Sequence, residues 1–325
     1  MLNNFSYIRP KTLKDAVKEL SAKDAGLHAG GTDILGCLRD HVFDIRKMVS
    51  ISGLKELEGV KGISDGGMRI GAMTTIAHVA GDSAITERYA ALAQAAAEVA
   101  SPQLRNQGTV GGNLCQKPRC WYYRGEFNCL RKGGEKCFAV MGENQYHCIL
   151  GGGPCFIVHP SDLAPAMIAL DAIVHVAGKR ETRSVPLEKF YVLPVTDVHR
   201  ETVLADGEIV TEVILPAAGT ITSSYRKARA RAAWDFALAG VALAMRFDKG
   251  VVSDARVVLS GAAPVPWRSK KAEAVLVGRK LDPAAAAAAA EAALKDAQPL
   301  AKNGYKVPMF RALIEDQLNG MVRKG

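Results

Sequence analysis

Apolar residues in the segment 12–20 recur at Leu13, Ala16, Val17 and Leu20, the spacing of one helix face. Thr12 with Asp15 forms a capping pair in front of them. A short apolar stretch over 27–29 then runs into Gly30-Gly31-Thr32-Asp33 and Ile34-Leu35, which predicts a strand, a tight glycine turn and a helix start. Strands are expected over 48–52 and 68–75, with glycine-punctuated turns between them at 59–67. Over 86–100, Tyr89, Leu92, Ala96 and Val99 share a helical face, with Thr86 as cap and Ser101-Pro102 as stop. A second glycine turn, 108–113, follows directly. Periodicity then vanishes until about 155, which predicts a long irregular loop.

Regular pattern returns at 163 with a helix over 163–170, a strand over 172–178 and an alternating strand over 208–215 that ends at Pro216. The segment 216–222 reads as a boundary. Three consecutive strands follow, 224–230, 236–247 and 252–261, with Asp248-Lys249-Gly250 as the hairpin turn between the last two. Asp282 caps a helix that opens with Pro283 and continues through seven alanines, which reads as a surface helix. No internal repeat is visible. The pattern describes mixed α and β structure, with two lobes before residue 220 and a third after it.

Composition narrows the class. The 325 residues are 48% hydrophobic and 23% charged, enough for a sizeable core. No run of 18 apolar residues occurs, so no membrane span is expected. The amino-terminal residues lack the basic-then-apolar layout of a secretory signal. The excess of 42 basic over 33 acidic residues suits an anionic ligand. Scattered basic residues and 6% aromatics argue against nucleic acid.

Cysteine placement is the strongest chemical signal. Cys37 stands alone, whereas Cys115, Cys120, Cys129, Cys137, Cys148 and Cys155 crowd one segment. An odd count without a signal peptide opposes a disulfide framework. From Cys120 onward the separations are 9, 8, 11 and 7 residues, without the short knuckles of structural zinc or the close run of ferredoxins. An iron–sulfur cluster, a zinc ion and free structural thiols all remain open on spacing alone. His147 is a further candidate ligand.

Two glycine turns far apart in sequence, 30–33 and 109–113, suit a long ligand such as a dinucleotide held at two places, with plain turns as the alternative. Asp162, after His159-Pro160-Ser161, either caps the next helix or contacts a cofactor. Tyr225, Lys227, Arg229 and Arg231 alternate onto one strand face, a basic stripe able to neutralise phosphate or simply to meet water.

Taken together and in order, AGGTDIL (29–35), TVGGN (109–113), the cysteine loop, HPSD (159–162) and YRKARARAAWDFALAG (225–240) resemble the FAD-binding subunit of the xanthine dehydrogenase, or molybdenum hydroxylase, family. The resemblance spans nearly the whole chain. Within the family it is closest to the beta subunit of 4-hydroxybenzoyl-CoA reductase and to FAD subunits of bacterial aldehyde oxidoreductases, which carry an extra [4Fe-4S] cluster in an insertion after the second glycine turn. It implies an α+β fold: a two-lobed PCMH-type FAD-binding domain over 1–218, with lobes of about 1–55 and 56–218 and the Fe-S loop at 115–156. A smaller α/β domain of the CO dehydrogenase flavoprotein C-terminal type follows over 222–325.

Carried over by similarity, the FAD contacts are Ala29, Gly30, Gly31, Thr32, Asp33, Ile34, Leu35 and Gly36, then Thr109, Gly111, Gly112 and Asn113, then Asp162 and Lys227, with Ser101 and Arg105 as weaker matches. The cluster ligands are Cys120, Cys129, Cys137 and Cys155, which leaves Cys148 surplus. No acid–base residue is implied. The resemblance implies an electron-transfer subunit working with a molybdopterin-binding large subunit and a [2Fe-2S] small subunit, with ferredoxin as an outside partner, in a dimer of heterotrimers. The overall substrate would be an aromatic acyl-CoA or an aldehyde. The expected location is the cytoplasm, with export beside a signal-bearing partner as the alternative. The competing readings are a zinc-binding scaffold without flavin and a stand-alone FAD oxidoreductase.

Overall fold

The computed structural model describes residues 2–322; residue 1 and residues 323–325, the outer ends of the two expected domains, lie outside the described residues. The first lobe is a parallel sheet in the order β1-β3-β2, from β1 (Ser6–Ile8), β2 (Ala25–His28) and β3 (Lys47–Ser50). Parallel neighbours need crossovers. Helices α1 (Leu13–Leu20) and α2 (Ile34–Arg39) supply them. The Thr12 hydroxyl accepts from the Asp15 amide at 3.1 Å, and Ala16 and Val17 bury against Val49 and Ile51.

The second lobe is an antiparallel sheet in the order β4 (Val60–Gly62), β5 (Met68–Gly71), β8 (Ile209–Leu215), β6 (Ile173–Ala177), β7 (Thr182–Pro186). It opens with β4 and β5, so the expected turns at 59–67 contain a strand; three residues are too few to show a period of two. Helix α3 (Ile76–Gly81) follows. The single helix expected over 86–100 is two, α4 (Ser83–Arg88), capped by Asp82 rather than Thr86, and α5 (Ala90–Glu98), with Tyr89 as the break. Ser101-Pro102 starts a helix instead of only stopping one: Ser101 caps α6 (Pro102–Gln107), where proline at the first position loses no hydrogen bond. The glycine turn 108–113 is also helical, as α7 (Val110–Leu114), with the Thr109 hydroxyl accepting from Gly112 N.

The cysteine segment is irregular apart from α8 (Trp121–Arg124) and one 3₁₀ turn at Leu130–Lys132. Regular structure resumes with α9 (Leu163–Ala169), β6 (Ile173–Ala177), β7 (Thr182–Pro186), which the pattern did not foretell, and β8 (Ile209–Leu215). Helices α3, α5 and α9 pack with this sheet into the largest apolar core.

A third, antiparallel sheet is built from β9 (Thr222–Ala228), β10 (Ala239–Asp248), β11 (Val251–Ser260) and β12 (Trp267–Arg268). Strand β10 is buried on both faces. Ala242 and Ala244 face the second lobe's core, while Val241, Leu243 and Met245 join a separate core with α10 (Lys270–Leu276), α11 (Pro283–Leu294) and α12 (Lys306–Val322). That double burial makes its sequence a continuous apolar run. The alanine-rich α11 lies at the surface, with Ala284, Ala287, Ala288 and Glu291 exposed, but its other face is core: Ala286, Ala289 and Ala290 are fully buried, and their small side chains let the neighbouring helices approach closely.

Candidate functional site

The two glycine segments meet. A Cβ on Gly30 would lie 1.9 Å from the Gln107 carbonyl oxygen, and one on Gly111 would lie 3.0 Å from Ala72 Cβ, so both approaches depend on glycine. Gly31 holds φ at +76°, in the left-handed region. Between these segments runs a cleft in two adjoining parts of about 410 and 360 Å³, with Thr32, Asp33 and Gly112 as common wall. The larger part is lined by 29–34 of the first segment and by Thr109, Gly111 and Gly112 of the second. Asn113, Asp162, Val99 and Ala100 line the smaller part, which Trp234 and Phe236 flank.

Asp162 does not cap α9. Its carboxylate accepts from the Tyr225 hydroxyl at 2.6 Å and from Lys227 Nζ at 2.7 Å, while Ser161 Oγ takes the Ala164 amide instead. Burial pushes the Asp162 carboxyl up, and Lys227 and Tyr225 only partly reverse this. Part of the basic stripe that runs along β9 is therefore spent on internal pairs, while Arg231 lines the smaller part of the cleft. Lys227 is fully buried on Asp162, Arg229 pairs with Glu98, and Arg231 lies past the strand's end with its guanidinium donating to the Trp234 carbonyl.

The cysteine loop closes on itself. Cys120, Cys129, Cys137 and Cys155 line one small, tightly packed cavity, together with Tyr122, Tyr123, Arg131 and Phe138. Backbone N–H groups of Phe156, Ala139 and Val140 donate to Cys137 Sγ, those of Tyr122 and Tyr123 to Cys120, and that of Ile157 to Cys155. Cys155 also donates to Cys137. That bond, with the amides, brings the Cys137 thiol down to about 6, so the pair shares one proton and Cys155 is held up. His147 Nε2 sits 3.3 Å from Cys120 Sγ, and burial lowers this imidazole to about 4. Cys148 lies outside the cavity lining, buried, with its thiol pushed up to about 12. Among the described residues no three His, Cys, Asp or Glu side chains are placed to hold a single metal ion.

Positive charge surrounds this loop. Buried Glu201 receives both Lys117 and Arg131, which together overcome the effect of burial and hold its carboxyl below the ordinary range. Asp33 receives both Arg119 and Arg124 at 2.7 Å, and its second oxygen accepts the Lys117 amide. Each carboxylate thus faces two cations. Lys306 adds a third positive excess, buried among carbonyl oxygens. Arg119 Nε, in the cleft wall, is a buried donor with no partner among the described residues, as is His159 Nε2.

Of the residues singled out in the sequence, 29–34, Thr109, Gly111, Gly112, Asn113 and Asp162 line the cleft, and the four chosen cysteines line the smaller cavity. Leu35, Gly36, Ser101 and Lys227 line neither; Arg105 donates to the Val99 carbonyl instead of facing the cleft. The periodicity carried no sign of Glu201, Asn303 or Lys306, which reach the loop from distant segments. Lys117, Arg119 and Arg124 carried one signal, basic residues unusually dense beside the first loop cysteines.

Comparison with known proteins agrees over the full length. The profile described as the FAD binding domain in molybdopterin dehydrogenase matches residues 3–218, and that of the CO dehydrogenase flavoprotein C-terminal domain matches 223–319. The FAD-binding subunit of an Escherichia coli K12 aldehyde oxidoreductase is 35% identical, covering 97% of each chain. The carbon monoxide dehydrogenase medium chain of Hydrogenophaga pseudoflava is 27% identical over 97% of this chain and 96% of its own. A solved structure of carbon monoxide dehydrogenase from that organism superimposes with a TM-score of 0.79 at 26% identity, covering 99% of both chains.

Proposed function

The chain belongs to the FAD-binding medium subunits of the xanthine dehydrogenase, or molybdenum hydroxylase, family, and from that premise we propose that it carries two redox groups, FAD in the cleft and a [4Fe-4S] cluster in the cysteine cavity. As a family member it is the flavoprotein subunit of a multi-subunit oxidoreductase. When bound, FAD couples two-electron to one-electron transfer and the cluster passes single electrons; the protein's task is to hold and tune them.

The residues fit both groups. Gly30, Gly31 and Thr32 with Thr109, Gly111 and Gly112 let the backbone lie close to a pyrophosphate, and Arg119 Nε offers an unused donor in the same wall. Asp162, steadied by Lys227 and Tyr225, presents a fixed acceptor edge to the smaller part of the cleft. The cluster reading is carried by one observation above the others: four thiols around one cavity, three of them receiving six backbone N–H groups, inside a surplus of buried cations. Amide donors and positive charge both favour thiolate. Cys120, Cys129, Cys137 and Cys155 are the proposed ligands.

The proposed partners are a molybdopterin-binding large subunit and a [2Fe-2S] small subunit in a dimer of heterotrimers, with ferredoxin as an outside carrier. The named relative makes an aldehyde the favoured overall substrate, ahead of an aromatic acyl-CoA. Among the described residues no helix is long and apolar enough to cross a membrane, and we place the complex in the cytoplasm. The test is iron, sulfide, zinc and flavin analysis of anaerobically purified complex. Four irons and about four sulfides per FAD are expected for a Cys-ligated cubane, and Cys137→Ser should lose most iron while keeping FAD. Flavin without iron would sink the cluster; zinc without flavin would sink both assignments.

A further inference from the structure

One buried ammonium near the cysteine cavity has no carboxylate beside it. Lys306, at the start of α12, is fully buried, and its Nζ donates to the carbonyl oxygens of Gly261 at 2.6 Å, His147 at 3.1 Å and Tyr146 at 3.5 Å. Carbonyl dipoles ease the desolvation of a cation without neutralising it. Burial brings the Lys306 ammonium down to about 8, and the neighbouring Cys148 thiol, pushed up to about 12, is uncharged at neutral pH. Asn303, likewise fully buried, donates to the His147 and Cys148 carbonyls at 3.0 and 3.1 Å. Two side chains of the C-terminal domain therefore grip the backbone on either side of His147, whose ring reaches Cys120 Sγ.

Resting on the cluster reading above, we infer that Lys306 is a positioning residue that also sets the reduction potential of the group in the cysteine cavity. Four thiolates around a [4Fe-4S] core carry net negative charge, and one electron makes it more negative. The Lys306 ammonium stabilises the reduced form more than the oxidised one and so raises the potential. One electron enters from the donor redox centre, and no bond is made or broken. Buried Asn303 supplies the same grip without charge, so geometry and charge are separable.

The experiment is an anaerobic redox titration of the intact complex, followed by EPR of the reduced cluster, for the natural protein and for Lys306→Met, Lys306→Gln and Lys306→Arg. With iron content retained, the two neutral variants should shift the reduction equilibrium at least tenfold toward the oxidised form, about 59 mV lower for a one-electron couple. Lys306→Arg should stay within threefold of the natural protein. An unmoved potential in either neutral variant overturns the inference, and so does an equal fall in Lys306→Arg. If Lys306→Met does not fold, Lys306→Gln gives the same reading, since its amide still donates to the carbonyls. Iron lost from both neutral variants and restored by arginine supports the charge requirement; iron lost from all three argues against it. Iron absent from the natural protein would instead defeat the cluster assignment, before Lys306 is tested at all.

Discussion

The glycine-lined cleft and the cysteine cavity are built in opposite ways. The cleft is made by backbone. Gly30 packs on Gln107 and Gly111 on Ala72, and regular helices begin beside both. The cavity is made by side chains arriving from far away: Glu201 across a gap of 70 residues from Arg131, and Asn303 and Lys306 more than 150 from the loop they grip. A site whose own backbone must come close is written locally, in glycines. A site held by remote charges leaves no local signature.

The most forceful way to break this contrast is Glu201→Gln. It strands Lys117 and Arg131 without their counter-charge, at a cost of about 3–5 kcal/mol. Melting temperature should fall and iron should be lost while flavin stays bound; equal loss of both cofactors would show that the two regions are one unit. The converse is Gly30→Ala, whose methyl meets a backbone oxygen. Overpacking of this kind costs about 1–3 kcal/mol, and FAD content should drop with iron retained, read by absorbance and iron assay.

A smaller effect sharpens the boundary between the regions. Burial lowers His159 from 6.5 to about 4. Between those values the unfolded chain takes a proton that the folded one refuses, so stability is full above pH 6.5 and falls as pH drops toward 4. The slope is about 1.4 kcal/mol per pH unit for one such group. Denaturant titrations at pH 7, 5.5 and 4.5 should lose part of this dependence in His159→Gln; an unchanged pH profile would rule the imidazole out as a source.

The same contrast explains what the amino-acid pattern could and could not disclose. Caps at Thr12 and Asp282, the hairpin at Lys249-Gly250 and the glycine segments are short-range devices, and each was legible. The split at Tyr89 was not, because apolar spacing runs through it and only the Asp82 cap and the backbone turn reveal two helices. The tail was legible as helical, but only α11, with its Asp282 cap and alanine run, stood out in it as a particular helix. Lys227 was legible as a basic residue alternating onto one strand face, but its burial against Asp162 needed the fold.

The grip of the C-terminal domain on the loop has a consequence for the order of biosynthesis. Besides Asn303 and Lys306, the Gln298 amide meets the Ile149 carbonyl, the Lys302 amide meets Asn144, and the Tyr305 hydroxyl meets the Gln145 carbonyl. These anchors follow the loop at a distance of 158 to 160 residues for Lys302 and Tyr305. A nascent chain can assemble its glycine cleft before they are made, but it cannot shut the cysteine pocket until they have emerged. Iron delivery, on the assignment proposed here, therefore waits for their synthesis, and chains truncated before Gln298 should emerge able to take up flavin and unable to retain iron.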